Sequence, residues 1–304
     1  MPAVFLGTPA AAVPSLGALA DVDDVALVVT QPDRRAGRGN ARISPPVKVA
    51  AEQFGFGVAQ PANREELLGL LEGGGFDIGV VVAYGRILTP AMLDSTRLGF
   101  LNVHFSLLPR WRGAAPVERS IAAGDERTGV TLMKIDEGLD TGPILGEIAT
   151  PIGPDETGGS LTARLSYLGA SLVDEITPEY LMGRRRPVPQ IDTHASHASR
   201  LTKDEACLAP DLDVATAERA VRAFHPRPMA WLDTPEGSLR VHKARIAAER
   251  VDLGLIHVSG SGVIAGFANG SLLLETVQPP GKAAMSADAW MHGRRGAAAT
   301  FSGT

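Results

Sequence analysis

The sequence predicts an α/β fold with a mostly parallel sheet, followed by a small second domain that resembles a β-barrel. Short apolar runs alternate with helix-like segments in the first half, which is typical of βαβ units. In the second half, short strand-like runs are separated by Gly-rich turns. The chain has 304 residues, which is enough for two such domains.

The first domain is predicted to contain five strands and five helices. The strands are the apolar runs Ala3–Gly7, Val25–Val29, Asp77–Tyr84, Phe100–Phe105 and Gly129–Ile135. The helices are expected near residues 9–19, 47–54, 64–71, 117–123 and 157–182. Right-handed crossovers would bring the carboxyl ends of all five strands to one edge of the sheet, where ligands bind in such folds.

The second half begins after a stretch rich in Pro, Gly and small polar residues. We interpret residues 183–200 as a linker between a first domain, 1–182, and a second domain, 201–304. In the second domain we expect a helix followed by three strands, namely Val214–Phe224, Arg240–Arg245, Gly262–Phe267 and Ser271–Val277.

Composition excludes several classes of protein. The chain is 44% hydrophobic and 21% charged, and its longest apolar runs fall short of the roughly 20 residues of a membrane span. Cys207 is the only cysteine, so neither an intramolecular disulfide nor a Cys-rich zinc site can form, and a reducing cytoplasm is expected. The net charge of -5 argues against indiscriminate nucleic-acid binding.

Candidate catalytic residues lie where two predicted strands end. Asn102 and His104 come at the end of the strand Phe100–Phe105, and Asp140 lies on the loop Asp136–Gly142 that follows the strand Gly129–Ile135. An amide can hold an oxyanion, an imidazole can move a proton, and a carboxylate can orient the imidazole. A structural role for His104 remains open. Since the chain lacks a Gly-x-Ser-x-Gly motif and His104 has no second histidine at metal-ligand spacing, we expect the nucleophile to arrive with the substrate.

The same loops carry a resemblance to a known family. Asn102-Val-His-Phe-Ser-Leu-Leu-Pro109, with Arg112-Gly and the Gly138-Leu-Asp-Thr-Gly142 loop, resembles the tetrahydrofolate-dependent formyltransferases. Within this family, the members that act on methionyl-tRNA resemble the chain in six further segments, namely residues 31–39, 44–48, 111–116, 201–206, 222–231 and 281–286. The resemblance implies a Rossmann-like catalytic domain and an OB-like barrel.

The resemblance also implies substrates and roles. The donor would be 10-formyltetrahydrofolate, and the acceptor would be the α-amine of methionine on initiator tRNA, with no metal. Asn102 and His104 would stabilise the oxyanion, while Asp140 would orient His104. The folate would lie between two segments, contacting Val81, Tyr84, Gly85, Ile87, Ser106, Leu107, Leu108 and Pro109. We expect a cytoplasmic monomer that does not bind membranes.

Two features of the sequence bear on the alternatives to an enzyme acting on tRNA, which are a relative that formylates a small-molecule amine and a tRNA-binding protein with a decayed active site. An arginine-rich loop would contact tRNA through Arg34, Arg35, Arg38 and Arg42, with Arg38 the strongest candidate. A relative acting on a small-molecule amine has no use for such a loop. Phe105 stands where the family usually has Gly, so a tRNA-binding protein with a decayed active site is a third hypothesis. The intact Asn102, His104 and Asp140 argue against that hypothesis.

Overall fold

The computed structural model describes residues 1–36 and 41–303, whose contacts divide into two compact units. The first comprises Met1–Gly113, Arg127–Pro151 and Thr162–Ala198. The second comprises Ala114–Glu126, Ile152–Leu161 and Ser199–Thr304. Both units are therefore discontinuous in sequence, whereas the sequence predicts one division at a linker.

The described residues form short strands and helices throughout. The strands of the first unit are β1 (Pro2–Gly7), β2 (Asp24–Val29), β3 (Arg34–Ala36), β4 (Ala41–Ile43), β5 (Val58–Ala59), β6 (Ile78–Val82), β7 (Phe100–His104), β8 (Arg112–Gly113), β9 (Arg127–Lys134), β10 (Ile144–Pro151) and β11 (His197–Ala198). Those of the second unit are β12 (Trp231–Thr234), β13 (Gly237–Ile246), β14 (Leu255–Ser259), β15 (Gly262–Phe267), β16 (Gly270–Gln278), β17 (Met285–Ser286) and β18 (Ala299–Thr300). The helices are α1 (Val13–Val22), α2 (Pro46–Phe54), α3 (Arg64–Gly73), α4 (Pro90–Leu93), α5 (Pro116–Ala123), α6 (Gly158–Leu181), α7 (Val214–Ala223) and α8 (Ala287–Gly293).

A seven-stranded sheet in the order β10-β9-β7-β6-β1-β2-β5 forms the centre of the first unit. The five strands from β7 to β5 are parallel, which confirms the predicted mostly parallel α/β fold. The expectation that all carboxyl ends share one edge is wrong for β9, because β9 runs antiparallel to β7. The helix between them, α5, belongs to the second unit, where the Arg219 Nε donates to the Ala122 carbonyl at 3.1 Å.

Both faces of the first sheet are covered. On the face that carries Phe100 and Val81, a buried apolar cluster includes Leu67 and Leu71 of α3 and Met92 of α4. On the opposite face, α6 packs closely at Gly169, where an added Cβ would stand 2.6 Å from Val103. The all-buried strand β6 lies in the middle of the sheet, as its continuous apolar sequence predicts.

The sheet of the second unit confirms the predicted barrel-like domain. Its order is β12-β13-β16-β15-β14-β18, with antiparallel neighbours throughout, and β17 pairs with β16. Just beyond β18, the Ser302 amide donates to the Asp233 carbonyl of β12 at 2.9 Å. Because this bond joins the two ends of the strand order, the sheet nearly closes on itself.

Within the described ranges, α6 and the other helices all lack the combination of length and apolar character that a membrane span requires.

The apolar stripe of α6 formed by Leu161, Leu165 and Leu172 is buried, and replacing Leu165 by Ala tests this assignment. Leu165 is fully buried, so Leu165→Ala should lower the free energy of unfolding by about 2–5 kcal/mol through lost burial and a residual cavity. Tyr167 on the same helix is 69% exposed, so Tyr167→Ala is the matched control and should change stability by less than about 0.5 kcal/mol. Urea denaturation followed by circular dichroism measures both. Equal losses would show that the stripe is not the buried face.

Candidate active site

Asn102 and His104 project from the same face of β7. Side chains of a strand alternate between its faces, so Val103 and Phe105 point to the other side. Asn102 lies beside Val81 of β6 and Met133 of β9. The structure therefore brings the amide and the imidazole together on the sheet face that also carries the α3 and α4 cluster.

The imidazole of His104 is buried and is held by a hydrogen bond at one of its two nitrogens. Its Nε2 lies 2.9 Å from the carbonyl oxygen of Trp111. Because a carbonyl can only accept, Nε2 carries a hydrogen and donates it. The Nδ1 faces the Asp140 Oδ2 at 3.7 Å, which is an ion-pair distance when the ring is protonated and too long for a direct hydrogen bond. Nδ1 is therefore the nitrogen left to exchange a proton.

Asp140 reaches His104 on a loop that doubles back from the end of β9. Lys134, the last residue of β9, pairs with Leu101, which precedes His104 by three positions on β7. The loop must therefore return roughly 10 Å along the sheet. Asp140 has a φ of 53°, a left-handed conformation that Asp tolerates better than most residues, and its Oδ2 accepts from the Gly113 amide at 2.8 Å. That second bond fixes the carboxylate beside the ring.

A side chain that the sequence analysis did not single out holds this loop in place. The Gln190 Nε2 donates to the carbonyl of Asp140 at 2.9 Å and to that of Gly142 at 2.7 Å. Gln190 lies in the segment interpreted as a linker. A lone glutamine between prolines and an isoleucine carries no spacing signal, so sequence reasoning had nothing by which to find it.

Gln190 is itself oriented by Arg112. The Nε and Nη2 of Arg112 donate to the Gln190 Oε1 at 3.0 and 2.7 Å, and Nη2 also contacts the Asp192 Oδ1 at 2.8 Å. Arg112 is buried, and a buried guanidinium requires such partners. The arginine of the Trp-Arg-Gly motif therefore has a positioning role, acting through Gln190 on the Asp140 loop.

The backbone of β8 at Gly113 packs closely against the backbone of β11. Gly113 has a φ of 120°, and a Cβ there would stand 2.7 Å from the carbonyl of Ala198 on β11, which pairs with β8. The motif therefore requires glycine at this position. Trp111, two residues earlier, has a φ of 61°, a conformation that bulky residues rarely adopt.

The segment after His104 is held by one hydrogen bond within the segment and by two bonds to Thr131 of β9. Ser106 is fully buried, and its Oγ donates to the Arg110 carbonyl at 2.6 Å. The Thr131 Oγ1 donates to the Ser106 carbonyl and accepts from the Leu108 amide, at 2.7 and 3.1 Å. The structure thus places Ser106 and Leu108 inside the fold, while Leu107 and Pro109 are half-buried. The sequence does not indicate this role of Thr131, because the residue lies inside a predicted strand and belongs to no motif.

The second predicted folate segment divides between core and surface. Val81 and Tyr84 belong to the buried apolar cluster, and burial raises the pKa of the Tyr84 hydroxyl. Gly85 and Ile87 instead line an open depression of about 650 Å³, together with Asn63 and other residues of 62–65. Only the latter two are placed where a ligand could touch them from solvent.

The arginine-rich loop is partly described. Arg34 lies on β3 and Arg42 on β4, two strands that pair as a hairpin, and both side chains are exposed. Arg35 pairs through its backbone in the same hairpin. Arg38 lies outside the described residues.

The base of this hairpin is anchored by a polar network. The Lys48 Nζ bonds both Oδ atoms of Asp33, at 3.0 and 3.1 Å, and the Gln60 Nε2 donates to the Gln31 carbonyl and to Asp33. Hydrogen bonds from Gln60 and Lys48 hold the pKa of Asp33 below its usual value.

Phe105 points away from the sheet face that carries Asn102 and His104. Its ring edge lies 3.7 Å from where a Cβ on Gly169 of α6 would stand, on the same side as Val103. The aromatic ring thus fills space under α6 instead of the space beside His104, which removes the reason for suspecting a decayed site.

Together these groups suit an acyl-type transfer to an external nucleophile. A neutral amide donor, a buried imidazole and an oriented carboxylate converge on one face, and Ser106 is committed to a structural bond. Among the described residues, no group of three or more His, Cys, Asp or Glu side chains could hold a metal ion.

Comparisons with known proteins agree with this chemistry. The chain is 49% identical over 301 residues to the methionyl-tRNA formyltransferase of Halorhodospira halophila, covering 96% of each. Two solved structures share the fold. One is an N-formyltransferase from Helicobacter canadensis in complex with folinic acid and dTDP-3-aminofucose, with 18% identity, a TM-score of 0.67, and 90% and 98% coverage of the two chains. The other is a methionyl-tRNA formyltransferase from Clostridium thermocellum, with 15% identity, a TM-score of 0.56, and 83% and 96% coverage.

Family models match both parts of the chain. The formyl transferase model covers residues 4–176, and the model of the formyl transferase C-terminal domain covers residues 200–295. The first match contains Asn102, His104 and Asp140, and together the two matches show that the chain belongs to the formyl transferase family.

Proposed function

We propose that this protein transfers the formyl group of 10-formyltetrahydrofolate to the α-amine of methionine esterified to initiator tRNA. The observation that carries the proposal is the 49% identity to a methionyl-tRNA formyltransferase across nearly the whole chain. The side chains on β7 and the Asp140 loop supply the donors and the proton acceptor that such a transfer needs.

The reaction requires a neutral amine. An α-amino group with a pKa near 8 leaves a usable neutral fraction at pH 7. Its nitrogen attacks the formyl carbon and forms a tetrahedral oxyanion, which the Asn102 amide stabilises. The carbon–N10 bond then breaks, and the proton lost by the amine reaches N10 of the folate. No covalent enzyme intermediate forms.

His104 carries the proton in this scheme. Its Nε2–H is committed to the Trp111 carbonyl, so Nδ1 is the site that gains or gives a proton. Protonated His104 gains an ion pair with Asp140 at 3.7 Å, and the positive charge then also stabilises the oxyanion. Asp140 is a positioning residue, because Gly113 holds its carboxylate toward the ring.

The donor site of the proposal is the edge formed by the two predicted folate segments. Gly85 and Ile87 supply accessible surface. Ser106, Leu107, Leu108 and Pro109 shape the loop next to His104. Val81 and Tyr84 support that edge from the core. The Helicobacter relative was solved with folinic acid, a reduced folate, which supports a folate donor here.

The acceptor site includes the arginine-rich hairpin. Exposed Arg34 and Arg42 offer guanidinium groups to phosphates, and Arg35 and Arg38 are proposed as further contacts from the same stretch of sequence. In the second unit, taken by itself, Lys203 and Lys243 are separate candidates for contacts with the tRNA backbone, and Lys243 is already paired with Glu275 at 2.8 Å. The alternative acceptor, a small-molecule amine such as that of an amino sugar, is favoured only by a fold-level likeness at 18% identity.

The direct test is a formyl-transfer assay with 10-formyltetrahydrofolate. Methionyl-initiator tRNA should be formylated, methionyl-elongator tRNA much more slowly, and dTDP-amino sugars not at all. Efficient transfer to an amino sugar without transfer to tRNA would overturn the proposal.

Replacing His104 by Ala should lower kcat by about 10²- to 10⁴-fold, because proton transfer loses its carrier. Binding of uncharged initiator tRNA, measured by gel shift, should stay within about twofold of wild type. Asp140→Asn keeps a similar shape and the Gly113 bond but removes the charge that faces the imidazole, so it should lower kcat less than His104→Ala does. Full activity of His104→Ala would exclude the mechanism.

Replacing Arg34 and Arg42 together by Ala should weaken binding of charged tRNA and reduce the slope of log K against log salt by about two, one for each lost phosphate contact. The KM for the folate donor should not change. Arg127→Ala, another exposed arginine of the first unit, is the control and should leave tRNA binding and its salt slope unaltered. Equal weakening of folate and tRNA binding would mean that the hairpin is structural.

Replacing Phe105 by Gly should reduce stability without improving turnover. The ring packs under α6, so its loss should cost about 1–3 kcal/mol of the free energy of unfolding. Phe105→Leu should recover most of that loss. Thermal unfolding and kcat are measured on the same preparations, and a large rise in kcat would show that the ring obstructs the site.

A further inference from the structure

A second cavity lies next to the catalytic imidazole. It has a volume of about 450 Å³ and is lined by Arg110, Trp111, His194 and Ser196, all of the first unit. The mechanism above uses none of these side chains. Arg110 and His194 are exposed, whereas Trp111 and Ser196 are half-buried.

Trp111 links this cavity to the reaction. Its carbonyl accepts from the His104 Nε2 at 2.9 Å, and its amide donates to the Ser196 Oγ at 2.9 Å. Hydrogen bonds thus hold both the carbonyl and the amide of Trp111. The residue has a φ of 61°, which a bulky residue adopts only when its surroundings impose it. The backbone of Trp111 is therefore fixed between His104 and Ser196, and the residue lines the cavity.

The cavity walls have the chemistry of a nucleotide site. The Arg110 guanidinium lies over the Trp111 ring, 5.6 Å from its centroid. Unpaired bases of RNA stack on aromatic rings and on guanidinium planes, and such stacking contributes about 1–3 kcal/mol per base. Arg110 and a protonated His194 can also donate to phosphate, and Ser196 can donate to a ribose hydroxyl.

The position of the cavity selects which nucleotide fits. In the proposed function, the methionine is esterified to the ribose at the end of the tRNA, and its amine must reach His104. The nucleotide that bears the ester must then lie within a few bonds of that imidazole. Since the Trp111 backbone touches His104 and its side chain lines the cavity, the cavity is placed for that terminal nucleotide.

We propose that this cavity binds the terminal nucleotide of the acceptor tRNA, with the base against Trp111 and the phosphate near Arg110 and His194. The inference rests on the proposed function and specifies how its substrate is positioned. The methionine thioether alone would leave most of a cavity of this size unfilled, so the nucleotide is the better occupant.

The test uses full-length protein and uncharged initiator tRNA in which 2-aminopurine replaces the terminal adenine. Stacking on an indole quenches the fluorescence of this base. Wild-type protein should quench it on binding, Trp111→Leu should abolish the quenching, and Trp111→Phe should retain much of it. Trp290→Leu is the matched control, because Arg294 lies over that ring at 5.3 Å in the second unit, and it should quench like wild type.

Kinetics on methionyl-initiator tRNA give a second measurement. Trp111→Leu should raise the KM for tRNA by roughly 5- to 100-fold, as expected for the loss of one stacked base, with kcat within about threefold. His194→Ala should raise the KM less. The KM for 10-formyltetrahydrofolate should stay constant in both variants. A fall in kcat with an unchanged KM would show that Trp111 serves only to hold His104, and would overturn the proposal.

The outcomes separate the two proposals. If wild-type protein formylates methionyl-tRNA but leaves 2-aminopurine unquenched, or if Trp111→Leu quenches like wild type, this nucleotide site is refuted while the proposed function stands. If wild-type protein does not formylate the tRNA, the proposed function fails and the site fails with it.

Discussion

The hydrogen bond from the His104 Nε2 to the Trp111 carbonyl is the contact on which the rest of the site depends. It commits one nitrogen of a buried imidazole to a hydrogen and leaves Nδ1 to face Asp140. A carbonyl oxygen accepts hydrogen bonds and cannot donate them. If the ring flipped, the buried Trp111 carbonyl would lose its donor, which costs about 1–3 kcal/mol. The orientation of the His104 ring is thus set by the backbone of a neighbouring loop.

That backbone is held by segments far apart in the chain. Trp111 is fixed through Ser196, and Gly113 donates to Asp140 while fitting against Ala198 of β11. The segment that provides Ser196 and Ala198 resembles a linker in sequence, yet it forms part of the support for the site. Removing or exchanging this segment would therefore disturb the chemistry as well as the connection between domains.

Much of this could be predicted from the sequence, and the exceptions have physical causes. The apolar runs and turn residues give the strands, and the alternation of β7 predicts that Asn102 and His104 share a face. The same alternation places Phe105 on the other face, although its departure from the family pattern suggests a decayed active site. The direction of β9 was not predictable, because α5 looks like a crossover helix but packs with α7 in the second unit. Gln190 gives no periodic or motif signal at all.

The Gln190 bonds also explain how Asp140 can keep its conformation. A non-glycine residue at a φ of 53° costs free energy unless other contacts impose it. Gln190 imposes it through the Asp140 and Gly142 carbonyls, and the forked donation from buried Arg112 stops the amide from rotating. Since the Asp140 backbone is held by Gln190, its carboxylate is free to serve Gly113 and His104 alone. A charge on the arginine thereby stabilises the position of a charge on the aspartate through a neutral amide, without the two ions meeting.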